Sequence, residues 1–235
     1  YNGDAVDEPS NSSIGYGENP PAVGIDFFEG PYQDSDSIDN PLTTNFGNAI
    51  DSLGIPYEGI GIGYGDGIVD NERFGMRRFV YYNNSNNPIN GEPATPLHFY
   101  NYMNGVWKNG QKMAYGGDGV NASTGANLDV SCDYMFPGDT DPFNWGTGGT
   151  AVEPWTEVTS GNPPADRRFI QAAGPFTLEP GDYNNITMGV VWARATAGDP
   201  EESVKLMRIA DDKAQALFDN CFEIVSGPDA PDVTI

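Results

Sequence analysis

The chain has 235 residues, enough for one large domain or two small ones with a real core. Hydrophobic residues make up 38% and aromatics 12%, which excludes a disordered chain despite 30 Gly and 19 Pro. The 34 acidic residues outnumber 11 basic ones, and the net charge of −23 argues against nucleic acid or an anionic membrane surface as partner.

Residues 1–22 are polar, with Gly, Pro, Ser and Asn throughout, and read as an extended N-terminal arm. Val23–Phe28 is a short apolar run and a strand candidate. Residues 29–44 mix acids with turn formers and read as a loop, followed by a helical turn over Phe46–Leu53. In Gly59–Phe79 glycine alternates with Ile60, Ile62 and Tyr64, a pattern for close backbone approach rather than a regular strand. Arg77–Tyr82 reads as a strand and Asn83–Pro96 as a turn-rich loop. Leu97–Trp107 fits a short helix capped at Thr95, with Pro96 at its first position. Tyr115–Asn127 reads as loop, Cys132–Phe136 as a short strand, and Pro137–Pro164 as a long Gly/Pro/Trp loop. Arg167–Ala172 and Gly174–Leu178 read as strands, Glu179–Asp182 as a turn, and Asn185–Ala195 as the strongest strand pattern in the chain.

One helix is well marked. Asp199 is its N-cap, Pro200 its first residue, and Glu201 and Glu202 sit where acids favour the helix dipole. Val204, Met207, Ala210, Ala214, Leu217 and Phe218 share a face. The expected class is therefore mainly β, with a β-sandwich-like core, long ordered loops and one C-terminal amphipathic α-helix over about 199–220. A single calcium-stabilised domain is expected over 23–226, with 227–235 as the start of a linker. Both ends read as cut from something longer. No apolar run is long enough to span a membrane.

The acid pattern points to calcium, which takes roughly six to eight hard oxygen ligands at flexible spacing. Two loops offer them: Asp34, Asp36 and Asp39 with Asn40, and Asp66, Asp70 and Glu72 with Asn71. In each, an apolar residue (Ile38, Val69) precedes an Asp-Asn pair and is expected to point inward, aiming the acids at an ion. Neither loop is an EF-hand, because the DxDxDG core is incomplete. The first is similar to the short DxDxxD repeats of thrombospondin-type calcium modules. Ordinary Asx-turns are the competing reading.

Asp139 and Asp141 read as a turn, with a third ion site or a catalytic pair as alternatives. His98 is the sole histidine, and neither HExxH nor GxSxG occurs. Cys132 and Cys221 would stay free in a reducing compartment and pair in an oxidising one, and a disulfide is the favoured reading. The doublets Arg77-Arg78 and Arg167-Arg168 are expected in internal ion pairs, with Arg77 and Arg168 as alternative ligand contacts. Trp145 and Trp155 either pin long loops to the core or stack on sugars.

The stretches VGIDFFEGPYQDSDSIDNPLTTN, GIGYGDGIVDNERFGMRRFVYYNN, CDYMFPGDTDPFNWGTGG and ADRRFIQAAGPFTLEPGDYNNITMGVVWARA resemble a region of large secreted Bacteroidota proteins. Those proteins are exported and surface-attached through a C-terminal type IX sorting domain. The resemblance runs from about Val23 to the C-terminus. It implies a secreted or cell-surface location and a partner set made of other domains of the same polypeptide or surface-assembly subunits. It supplies no enzyme. The residues point first to a non-catalytic, calcium-binding structural or adhesive module. A carbohydrate-binding module that takes glycans is the alternative, and a hydrolase using Asp/Glu chemistry the third.

Overall fold

The computed structural model describes residues 19–162, 166–199 and 201–223. The expected arm up to residue 18, Pro200 and the expected linker over 227–235 lie outside them. The described residues fall into two compact units, one of 19–28 with 189–223 and one of 29–188. Among the described residues the strands form three two-stranded sheets. Among the described residues no helix is long and apolar enough to cross a membrane.

The first unit is built on strand β1 (Ala22–Glu29), strand β6 (Thr187–Ala193) and helix α3 (Glu201–Asp219). β1 pairs with β6. Asp199 caps α3 as the sequence indicates, its Oδ1 accepting from the N–H groups of Glu201 (2.9 Å) and Glu202 (3.2 Å). Ser203 and Met207 are the buried residues of α3, and the Phe218 ring lies 5.5 Å from Phe28. Leu217, expected on the buried face, is 38% exposed. Glycine lets the elements close up: a Cβ on Gly24 would sit 2.3 Å from Met207 Sδ, and one on Gly189 would sit 2.0 Å from the Phe28 ring. The outward side chains of β6 are apolar, with Met188, Val190 and Trp192 all exposed.

The second unit holds the remaining elements. Strand β2 (Arg78–Asn83) pairs antiparallel with β5 (Arg167–Ala172), from Arg78 opposite Ala172 to Asn83 opposite Arg167. Helix α1 (Pro96–Met103) starts where expected, Thr95 Oγ1 accepting from His98 N–H, but stops four residues short of Trp107. Asn104 and Gly105 end it. Strand β3 (Ala114–Tyr115) pairs antiparallel with β4 (Asn127–Ser131), and helix α2 (Glu157–Ser160) is a single turn with a Thr156/Thr159 capping box.

Two segments depart from the sequence reading. The strand expected at Cys132–Phe136 lies earlier, at β4, pairing with a segment read as loop. The turn between β3 and β4 is closed by Asp118, which accepts from Val120 N–H (2.9 Å), Asn121 N–H (2.8 Å) and Thr124 Oγ1 (2.7 Å). Residues 132–136 instead run beside Phe79 through a single parallel bridge at Tyr134. Gly174–Leu178 forms no strand, because Thr177 gives its N–H and hydroxyl to the carboxylate of Asp34, both at 2.7 Å, in place of a strand partner.

Two aromatic cores stabilise this unit. One gathers Val80, Tyr82, Tyr102, Trp107, Met113 and Trp155; the other gathers Tyr57, Tyr64, Phe74, Tyr134 and Trp145. Trp107 is wholly buried, and its indole N–H reaches Gly119 O at 2.8 Å.

Candidate functional site

The two acidic loops singled out by sequence do meet, and they are closed by hydrogen bonds that backbone N–H groups donate to carboxylates. Asp70 Oδ1 accepts from the N–H groups of Asp36 (2.8 Å) and Ser37 (2.9 Å) on the other loop. Asp39 grips the opposite loop with both oxygens, taking Gly65 N–H at 2.8 Å and Gly67 N–H at 2.7 Å. Glu72, 2% exposed, accepts from Asn40 N–H at 2.5 Å. Asp36 takes Ile38 N–H at 2.9 Å and Ser52 N–H at 3.1 Å, while Asp66 takes Ile68 N–H and the Asn71 amide, both at 2.8 Å. Burial pushes the Asp36 carboxyl up, but the hydrogen bonds from Ser52, Ile38 and Asn40 outweigh it and leave its pKa below the ordinary value.

The glycine alternation is what brings the loops this close. A Cβ on Gly63, which has φ +90°, would lie 2.7 Å from Asn71 O, and one on Gly59 would lie 2.8 Å from the Thr43 methyl. The apolar residues of the two loops do not point inward as expected: Ile38 is 45% and Val69 51% exposed. The N–H groups that the Asp side chains capture face the loop interior, which turns the intervening apolar side chains outward. Among the described residues no three His, Cys, Asp or Glu side chains converge as a metal-holding group.

The same unit holds a set of charged pairs that range from buried to exposed. Glu58 pairs with Arg77 at 3.1 Å and accepts a hydrogen bond from the Tyr134 hydroxyl. Burial raises the Glu58 pKa against the pull of Arg77, and raises Tyr134 as well. Arg78 meets Asp133 at 3.1 Å; burial lowers the pKa of the guanidinium and raises that of the carboxyl, so desolvation outweighs pairing on both sides. Arg73 is held by Glu29 at 3.0 Å and donates to Gly30 O at 2.7 Å. On β5, Arg167 lies 3.9 Å from Glu157, and Arg168 contacts Glu92 at 2.7 Å and Asp166 at 3.9 Å. All four guanidiniums of the doublets thus face carboxylates.

The residues read as alternative ligand contacts are placed elsewhere. Trp145 and Trp155 are 5% and 3% exposed, packed in the two aromatic cores, so neither ring presents a face to a ligand. Arg77 is buried against Glu58. Arg168 is partly exposed, but engaged by Glu92. Asp141 closes a turn, accepting from Trp145 and Gly146 N–H groups at 2.8 Å each. His98 accepts from Ala94 N–H at the start of α1.

The expected disulfide is not formed. Cys132 is a buried free thiol and Cys221 an exposed one. Cys132 is enclosed by the first aromatic core, and burial pushes its thiol far above the ordinary range.

An open groove of about 520 Å³ runs between residues 32–35 and 177–184. Its walls include Tyr32, Asp34, Thr177, Glu179, Asp182 and Tyr183. Sequence reasoning reached Asp34 as a metal ligand and Glu179–Asp182 as a turn, but missed the groove. It also missed Glu58 and Asp133, the partners of the Arg doublet. A lone Glu in Pro-Tyr-Glu-Gly carries no local sign of burial. Comparison of the chain with models of protein families, with curated proteins and with solved structures gives no match.

Proposed function

We propose that this chain is a non-catalytic structural or adhesive module of a large secreted or cell-surface protein of the type IX-exported kind. One observation carries the reading: five of the six carboxylates singled out as ligands (Asp34, Asp36, Asp39, Asp70, Glu72) accept hydrogen bonds from a different segment of the chain, and the sixth, Asp66, braces its own loop. Acids spent this way make a rigid, loop-built surface and are not free to act as a general acid and base. The partly buried acids Glu58 and Asp133 are likewise paired with Arg77 and Arg78.

Calcium belongs to this reading as the cation expected at the two acidic loops (Asp34, Asp36, Asp39, Asp66, Asp70, Glu72), where it would offset a part of the charge of −23. A β-sandwich-like arrangement belongs to it too. The test is thermal melting of the chain with calcium and with chelator, together with metal analysis and immunolabelling of intact cells. The reading expects surface labelling, and a melting point that falls on chelation. Labelling confined to the cell interior would end the surface-module proposal. An unchanged melting point with no bound metal would remove calcium from it and leave the hydrogen-bonded clamp as the sole fastening.

A further inference from the structure

We infer that the groove between residues 32–35 and 177–184 binds an organic cation, the ammonium or guanidinium end of a lysine- or arginine-like group. The cavity of about 520 Å³ is within the usual size of a small-ligand site. Every charged residue lining it is acidic: Asp34, Glu179 and Asp182. A cleft lined by one sign of charge concentrates the opposite ion. Its two aromatic residues, Tyr32 (41% exposed) and Tyr183 (84% exposed), are accessible to solvent, and an aromatic ring attracts a cation to its face. Tyr32 already performs this chemistry within the chain, with the Arg73 guanidinium 3.7 Å from its ring centroid. That guanidinium is neutralised by Glu29, so it does not oppose a second cation in the groove.

The groove is also preorganised. Asn184 clasps the Tyr32 backbone with both ends of its amide, accepting from the N–H at 2.9 Å and donating to the carbonyl at 3.0 Å. Asp34 fastens Thr177 with two bonds of 2.7 Å, and Asp182 closes the 179–182 turn through Glu179 N–H at 3.2 Å. The Glu179 carboxylate makes no hydrogen bond or ion pair among the described residues, and is free to meet a ligand. A neutral saccharide would gain nothing from this concentration of charge, and an anion would be repelled.

The test is amide chemical-shift titration of the full chain at low salt. The probes are Nα-acetyl-lysine methylamide, spermidine, the uncharged Nα-acetyl-norleucine methylamide, calcium chloride and a neutral oligosaccharide. Saturable shifts at Gly181, Tyr183 and Asn184 with the lysine derivative, absent with the norleucine one, are expected. Tighter binding of the lysine derivative identifies a partner's side chain as the source, and tighter binding of spermidine a free polyamine; either supports the cation site. Tyr183→Ala, at a position that contributes little to folding, should weaken binding about two- to fivefold. Glu179→Gln should weaken it by up to about fivefold. Equal shifts with the norleucine derivative, response to calcium or oligosaccharide alone, or shifts unaffected by both substitutions would overturn the assignment.

Discussion

Replacing Glu58 with Ala tests the Glu58–Arg77 pair directly. The Arg77 guanidinium is 4% exposed, its one ionic partner is Glu58 at 3.1 Å, and its Nε has no hydrogen-bond partner among the described residues. Removing the carboxylate leaves a full positive charge in the core, which costs about 3–5 kcal/mol in a buried pair. Tyr134 keeps Met76 O at 2.8 Å, so its hydroxyl adds little to the loss. Glu58→Gln retains an acceptor and should lose less, while adding Arg77→Leu to Glu58→Ala should restore part of the stability by removing the orphaned charge.

Urea unfolding followed by circular dichroism and tyrosine absorbance measures all three variants. The pH dependence has a definite sign. Burial holds the folded-state pKa of Glu58 above its ordinary 4.5. The folded state therefore binds more protons in the window above 4.5, and this contribution to stability, present below 4.5, is lost as pH rises through the folded value. The difference in stability between wild type and Glu58→Gln should shrink across that window. A loss below about 1 kcal/mol for Glu58→Ala, or no gain from the second substitution, would refute the reasoning, because it would place Arg77 in contact with water.

Further predictions follow from the clamp, the thiols and the close approaches. Asp39→Ala removes charged acceptors from Gly65 and Gly67 and should cost about 1–3 kcal/mol in chemical denaturation, with faster amide exchange over residues 65–67. A thiol reagent should label one of the two cysteines in the native protein, Cys221, and both after denaturation. Gly30→Ala would set a Cβ 1.7 Å from Phe74 O and should destabilise by at least about 3 kcal/mol or prevent folding, read as loss of soluble yield or of melting temperature. Of the four tryptophans, acrylamide should quench only Trp192 efficiently, since Trp107, Trp145 and Trp155 are at most 5% exposed.

The parts of the fold legible in the sequence were those specified by neighbours in the chain. Asp199 with the glutamates after it marked the start of α3, and Thr95-Pro96 marked the start of α1, because caps and dipole partners act within one turn. The runs at β1, β2, β5 and β6 showed themselves through apolar and β-branched residues. β3 and β4 did not: Ala114–Tyr115 is too short to show a period, and its pairing depends on a turn built from Gly116, Gly117 and the Asp118 side chain. The length of α1 was overestimated because Trp107 suits a helical face as well as it suits the core it fills.

At the acidic loops, sequence alone determined that many oxygens would gather, and that glycines would let the backbones close together. It could not determine what those oxygens bind. An Asp flanked by turn formers serves an ion or a backbone N–H equally well, and the choice is made by which donors arrive from distant parts of the chain. Tertiary structure brought Gly65 and Gly67 to Asp39, Thr177 to Asp34, and Asn40 to Glu72. It also decided that Glu58 and Asp133, ordinary in sequence, would be partly buried partners of Arg77 and Arg78, because burial and ion pairing depend on packing across the whole unit rather than on local pattern.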